Sequence, residues 1–366
     1  MTYPDRLARL RERLRAANVD VLVLGPSSHM IWLSGLSPHG DERPVLLVVT
    51  QTFAGFLMPA LNADSSRAVT DLPFCPWTDA DGPAAALGRL FADAKVPATG
   101  TRIALDETMR ADFALLVLGL LPGARHQFTE ASIGALRARK DDGEYRVLKE
   151  NALIDDGAMQ AAFAALRPGV TEREIEAVII DHFKSQGAVP EFTAVCFGPH
   201  GAFPHHYSAD TPLKPDDAIL IDIGSRKDGY PSDMTRVATI GTPDPEFDKV
   251  HAVLEAAVKA AMAAARPGVP AKLVDKAARD VVTAAGYGPN FLHRLGHGVG
   301  IDIHEPPYIT ATSDIPLEEG NVFSIEPGIY LAGRFGIRLE ELVILRKDGP
   351  EILSELPRTA YRAKAS

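Results

Sequence analysis

Cysteine is nearly absent: Cys75 and Cys196 are the only two in 366 residues, far apart and in no metal or redox spacing. That excludes a disulfide scaffold and points to a reducing, cytoplasmic setting. Basic charge is also in deficit. With 38 Lys and Arg against 48 Asp and Glu the net charge is −10, which speaks against nucleic acid as a partner and reads as ordinary solubility. The longest apolar run, Ala114 to Leu121, is far too short to span a bilayer, so no membrane partner is expected. The Arg-rich segment Met1 to Asn18 lacks an apolar core of signal-peptide length. Its acids Asp5 and Glu12, and Leu7, Leu10 and Leu14 at helical spacing, make it the first helix of the fold.

Several familiar signatures are missing too. There is no GxGxxG or GxxxxGK[ST] loop for phosphates, no HExxH zinc helix and no GxSxG elbow. What is present is an apolar fraction of 46%, ample for packing, in a chain long enough to expect two domains.

The first third reads as α/β. A helix over about Asp5 to Ala17 leads to strand Val19 to Leu24, then strands Val45 to Thr50 and Phe53 to Met58. A helix over Pro83 to Ala94, a strand Arg102 to Asp106 and a helix from Arg110 to about Leu120 follow, the last stopped by Pro122-Gly123. The polar stretch Ala124 to Glu130 looks like a connector, which places the domain division at 1–127 and 128–366.

The second part contains an internal repeat. Residues 161–170, AAFAALRPGV, recur as AAMAAARPGV at 260–269, 99 residues on. In both copies an Ala-rich helix stops at Pro-Gly and an amphipathic helix follows, Glu172 to Gln186 and Ala271 to Ala285. The strand segments LKPDDAILIDIG (213–224) and LEEGNVFSIEPG (317–328) extend the match and set Asp222 opposite Glu326; further on, Asp233 answers Glu340. This second part is therefore expected to be an α+β domain with an internal pseudo-two-fold, each half delivering two acids to one centre.

Those acids sit among β-branched apolar residues, where an unpaired carboxylate costs several kcal/mol to bury. One alone would be read as a structural ion pair; four at matched repeat positions point to shared metal ligation. Eight of the eleven histidines lie between His182 and His304, including His297 and His304 within LGHGVGIDIHE, where Gly296, Gly298 and Gly300 are expected to clear space around His297. Four carboxylates and one imidazole suit two divalent cations, with Mn²⁺ first and Co²⁺ or Zn²⁺ as alternatives. Their charges cancel, and such a pair can activate water for amide hydrolysis.

In these residues the chain resembles the pita-bread metallopeptidases, which include Xaa-Pro dipeptidase (prolidase), aminopeptidase P and methionine aminopeptidase. The first ~125 residues, a length suited to one domain, resemble the creatinase-type N-terminal domain of the Xaa-Pro branch. The resemblance implies that Asp222 chelates one ion, His297 with Glu326 the other, and that Asp233 and Glu340 bridge both around a hydroxide. It also implies a substrate-contacting, proton-handling role for His205, stabilisation of the tetrahedral intermediate by His304, a place for Arg338 near the metals, and Glu326 as general base. His293 and Tyr330 are weaker pocket candidates, His206 is read as a surface neighbour, and His182 and His200 as structural or surface residues. The implied substrate is a proline-containing dipeptide or short peptide, and the implied assembly a homodimer. A hydrolase or lyase of a small non-peptide metabolite, or a binding module, remains open on the same scaffold.

Overall fold

The computed structural model describes residues 1–364 and divides into two units, Met1–Arg137 and residues 138 onward. In the first, strands β1 (Val21–Leu24), β2 (Leu46–Val49), β3 (Ala54–Pro59), β4 (Phe74–Trp77), β5 (Arg102–Leu105) and β6 (Arg125–Gln127) form one mixed sheet in the order β4-β3-β2-β1-β5-β6. β1 and β2 are buried along their whole length, as continuous Val/Leu runs require in a sheet covered on both faces. The helices Pro83–Asp93 and Ala111–Gly119 contribute Leu87, Leu90, Phe113 and Val117 to its core.

β6 falls in the segment read as a connector. Its residues Arg125, His126 and Gln127 are all exposed, and it pairs parallel with β5 at the sheet edge, so it has no apolar alternation to reveal it. The first unit accordingly ends at Arg137, beyond the expected boundary at residue 127. Thr129 and Arg137 tie the extra segment back through His29, with Thr129 Oγ1 at 3.0 Å from its Nε2 and Arg137 Nη1 at 3.0 Å from its Nδ1.

The second unit carries the repeat. The helices Asp142–Ala165 and Glu172–Ser185 form one antiparallel pair, and Phe247–Ala264 and Ala271–Ala284 the other. Ile175, Ile179 and Phe183 in the first pair, and Val274, Ala278 and Val282 in the second, line up at helical period and are buried. Both Pro-Gly turns use the same device. Gly169 and Gly268 take φ of +83° and +87°, a region open to glycine, and donate to Leu213 O and Leu317 O at 2.8 and 2.7 Å.

Strands β7 (Val189–Phe197), β8 (Ala218–Lys227), β9 (Tyr230–Pro231) and β10 (Met234–Ile240) belong to the first half. β11 (Gly296–Gly298), β12 (Glu305–Ile309), β13 (Val322–Ile325), β14 (Gly328–Leu331), β15 (Phe335–Arg338), β16 (Glu341–Arg346) and β17 (Gly349–Ile352) form the second. β18 (Tyr361–Ala363) returns to the first sheet, which runs β18-β10-β8-β7 with β9 on β8; the second sheet runs β12-β11-β13-β16-β17, and β14-β15 is a separate hairpin. Alternation along β8 sends Ile219, Ile221 and Ile223 to one core and Ala218 and Leu220 to the other. Asp222 therefore shares the face of Leu220. On β10, Thr235 shares the face of Val237, which packs in that same core.

Candidate metal centre

Asp222 lies on β8, Asp233 just ahead of β10, His297 on β11, Glu326 at the end of β13 and Glu340 just ahead of β16. The fold brings all five together. His297 Nε2 lies 3.2 Å from Glu326 Oε1 and 3.5 Å from Asp233 Oδ2. Donor atoms of Asp233, His297 and Glu340 fall within 4.8 Å of one another, and all three residues are buried. Asp222 joins through Thr235, whose hydroxyl is 2.6 Å from Asp222 Oδ1 and 2.8 Å from Glu340 Oε2.

Three of the supporting residues belong to the same network. Arg338 Nη2 reaches Asp222 Oδ2 at 2.5 Å, its Nε donates to Thr235 Oγ1 at 2.9 Å, and its Nη1 donates to the Tyr330 hydroxyl at 2.9 Å. Tyr330 in turn lies 2.9 Å from His293 Nε2. His304 meets His297 edge-on with ring centroids 4.1 Å apart. His205 stands apart from the hydrogen-bonded cluster on an exposed loop, near enough to His304 for their charges to interact.

The electrostatics are those of crowded acids. Burial, followed by the charges of Glu340, Asp222 and Glu326, raises the Asp233 carboxyl well above its ordinary value. Burial and the charges of Glu326 and Asp222 do the same to Glu340. Burial would also raise Glu326, but the hydrogen bond and charge of His297 outweigh it and hold that carboxyl at about 2. Burial opposes the Arg338 charge, yet the surrounding acids keep its pKa well above the usual arginine value. Burial and the neighbouring His297 bring His304 down to about 4, so its ring is neutral near pH 7.

Two acids pushed up in the absence of a cation, set beside Glu326 held down by His297, make a donor set suited to divalent cations. Oxygen-rich ligation with one imidazole fits Mn²⁺, Co²⁺ or Zn²⁺. Arg338 alters the expected balance: with four carboxylates and one guanidinium, two divalent cations would leave one positive charge rather than none. That surplus favours an anion in the centre.

The glycines around His297 serve a different purpose from the one expected. A Cβ on Gly296 would sit 1.9 Å from Ser324 O, and one on Gly298 would sit 2.4 Å from Pro306 O. These two let β11 approach its neighbours closely and make room for backbone, whereas Gly300 makes room for the Glu305 carboxylate, whose Oε1 would lie 2.2 Å from a Cβ there.

Two residues escaped the sequence reading. Thr235 faces Asp222 directly across the β8–β10 ladder, whereas the β13–β16 ladder ends with Ile325 opposite Glu341, one residue short of Glu326 and Glu340. Asp233 lies two residues before Thr235 in the chain, just ahead of β10. That spacing was the available signal. Ser324 Oγ accepts from the His297 amide at 3.0 Å and lies 3.0 Å from Glu326 Oε1, orienting two ligands at once. Among the described residues two further groups have metal-like donors, Glu172/His200/His206 and, in the first unit, His29/Asp106/Glu107.

Residues 146–347 match metallopeptidase family M24, and residues 6–139 match the creatinase/prolidase N-terminal domain. A probable dipeptidase PepE of Mycobacterium tuberculosis is 35% identical over 364 residues, covering 97% of this chain and 95% of that protein. An Xaa-Pro dipeptidase of Lactobacillus helveticus is 34% identical over 353 residues, covering 94% and 95%. The crystal structure of dipeptidase PepE from Mycobacterium ulcerans superposes with a TM-score of 0.92 at 33% identity, covering 99% of this chain and 98% of that one.

Proposed function

The chain belongs to metallopeptidase family M24, and from that premise we propose that it is a dinuclear Xaa-Pro dipeptidase. The α/β unit is its creatinase/prolidase-type N-terminal domain, and the duplicated α+β unit its pita-bread peptidase domain. The observation that carries the proposal is the convergence of Asp222, Asp233, His297, Glu326 and Glu340 in one cluster, three of them buried and two partly so. The Xaa-Pro dipeptidase named above supports the choice of a proline-containing dipeptide as substrate over longer peptides.

In this reading Asp222, Asp233, His297, Glu326 and Glu340 would together hold two divalent ions. Two bound cations would acidify the attacking water and polarise the scissile carbonyl. The protein supplies the rest. Thr235 and Arg338 fix the lone pairs of Asp222 and Glu340 before any ion arrives. Glu326, held ionised by His297, is the base that takes a proton from the attacking water. His304, neutral near pH 7, offers an N–H to the developing oxyanion. His205 contacts the substrate, and His293 and Tyr330 line its pocket.

Mn²⁺ is the proposed metal, with Co²⁺ and Zn²⁺ as alternatives, and a homodimer the proposed assembly. The free thiols of Cys75 and Cys196 support a cytoplasmic setting. Among the described residues no helix is long and apolar enough to cross a membrane.

The test uses a substrate panel of Xaa-Pro dipeptides, longer Xaa-Pro peptides and small non-peptide amides. Chelation should abolish Xaa-Pro dipeptide cleavage and Mn²⁺ should restore it, while His297→Ala stays inactive with its circular dichroism unchanged. Full turnover by metal-free enzyme, or by H297A, would refute the proposal. Preference for the longer peptides would move the assignment to an aminopeptidase, and cleavage of the amides alone to a metabolite hydrolase.

A further inference from the structure

We propose that Glu172 is a positioning residue that fixes the loop bearing His205; this rests on the reading of His205 as a substrate contact. Glu172 opens the helix Glu172–Ser185, and its side chain is fully buried. Four donors converge on its carboxylate. Oε1 accepts from the Phe197 amide and from His200 Nδ1, both at 2.8 Å. Oε2 accepts from the Ala209 amide and from His206 Nε2, both at 2.9 Å. A carboxylate only accepts, so both facing ring nitrogens carry a proton.

The two amides lie at the two ends of the segment 197–209, so one carboxylate closes the loop at its base. The two imidazoles hold its interior, their ring centroids 4.2 Å apart. His206, expected to be a surface neighbour, is thus part of a buried clamp, and His200 is structural in a specific way. The loop's other side is fixed by backbone contact: a Cβ on Gly336 of β15 would lie 1.9 Å from Gly201 O. β15 ends in Arg338, which contacts Asp222. The loop is therefore registered both to the strand that serves the metal centre and to the helix that begins at Glu172. His205 is exposed and adjoins His206, so it takes its position from the clamp rather than from packing of its own.

Glu172→Gln preserves shape but replaces one acceptor oxygen by an NH₂ group. Whichever way the amide turns, two of the four donors then face a donor. The E172Q enzyme should lose kcat/KM on an Xaa-Pro dipeptide by about tenfold or more, as for residues that orient a functional group, with Mn²⁺ affinity unchanged. Hydrogen exchange should quicken in peptides covering 197–209 and stay the same in β8 and β10. In a His205→Ala background E172Q should cost less than about twofold, because the group it positions is gone. Equal penalties in both backgrounds, or unchanged exchange in 197–209, would overturn the proposal. So would wild-type activity in H205A, which would also remove the reading of His205. Quickened exchange in E172Q alongside a wild-type protein that hydrolyses no Xaa-Pro bond would uphold the clamp and refute the substrate class instead. If E172Q fails to fold, His206→Ala removes one bond of the four and should give the same pattern in smaller measure; no change in H206A exchange or activity would overturn the clamp.

Discussion

Replacing Thr235 with Val should weaken Mn²⁺ binding by about 10- to 100-fold while leaving the fold in place. The hydroxyl touches Asp222 at 2.6 Å and Glu340 at 2.8 Å, and it accepts from Arg338 Nε at 2.9 Å. It has one proton, so it donates to one acid at a time. In the metal-free protein the raised Glu340 carboxyl carries its own proton, so the hydroxyl's proton is free for Asp222. Once cations drive that proton off, the hydroxyl must serve two ionised acids, and its loss removes one hydrogen bond to a charged group. Such a bond is worth about 1.5–3 kcal/mol, and about 1.4 kcal/mol corresponds to tenfold in affinity. Orienting partners of metal ligands elsewhere fall in the same range. Valine suits a buried strand position, so the β8–β10 ladder should persist. Titration calorimetry of Mn²⁺ into metal-free T235V, with circular dichroism to check the fold, measures the effect. Thr235→Ser keeps the hydroxyl and should bind nearly as the wild type does. Wild-type affinity in T235V, or an equal loss in T235S, would refute the argument.

Two further outcomes follow from buried acids. Asp155 is completely buried, neither carboxylate oxygen has a hydrogen bond of good geometry, and burial pushes its pKa up to about 8 against the lowering influence of nearby Ser232 and Ser225. Between roughly pH 4 and 8 the folded protein therefore keeps a proton that the unfolded chain releases, and stability falls as pH rises, by at most about 1.4 kcal/mol per pH unit. Asp155→Asn lacks this titration, so it should melt hotter than the wild type at pH 8 and converge with it toward pH 4; parallel melting curves would contradict the assignment. At the metal centre, the raised carboxyls of Asp233 and Glu340 must give up protons when cations bind. Calorimetry at pH 6 in buffers of different ionisation enthalpy should show proton release and an affinity that rises with pH, and heats independent of the buffer would exclude it.

Much of this architecture was legible in the chain because it depends on local periodicity. Ile175, Ile179 and Phe183 announce a buried helix face, and the Val/Leu runs of β1 and β2 announce covered strands. The Pro-Gly turns recur because both halves bend alike at Gly169 and Gly268. β6 stayed hidden because Arg-His-Gln at an exposed edge carries no apolar signal. Glu172 was hidden for a different reason. At a helix start it looks like any capping-region acid, and only the return of residues 197–209 onto it reveals four donors.

The sequence by itself determined which helix and strand faces would be buried, that the second domain is duplicated, and which acids and which histidine are out of place in apolar surroundings. Those properties follow from side-chain period and chemistry, which short segments carry within themselves. Only the tertiary structure decided that Thr235 would face Asp222, that Arg338 would neutralise one acid of the four, and that His206 would turn inward to Glu172. Each of these depends on strand register and loop closure between residues distant in the chain, and the long-range packing that sets them leaves no mark on any one segment.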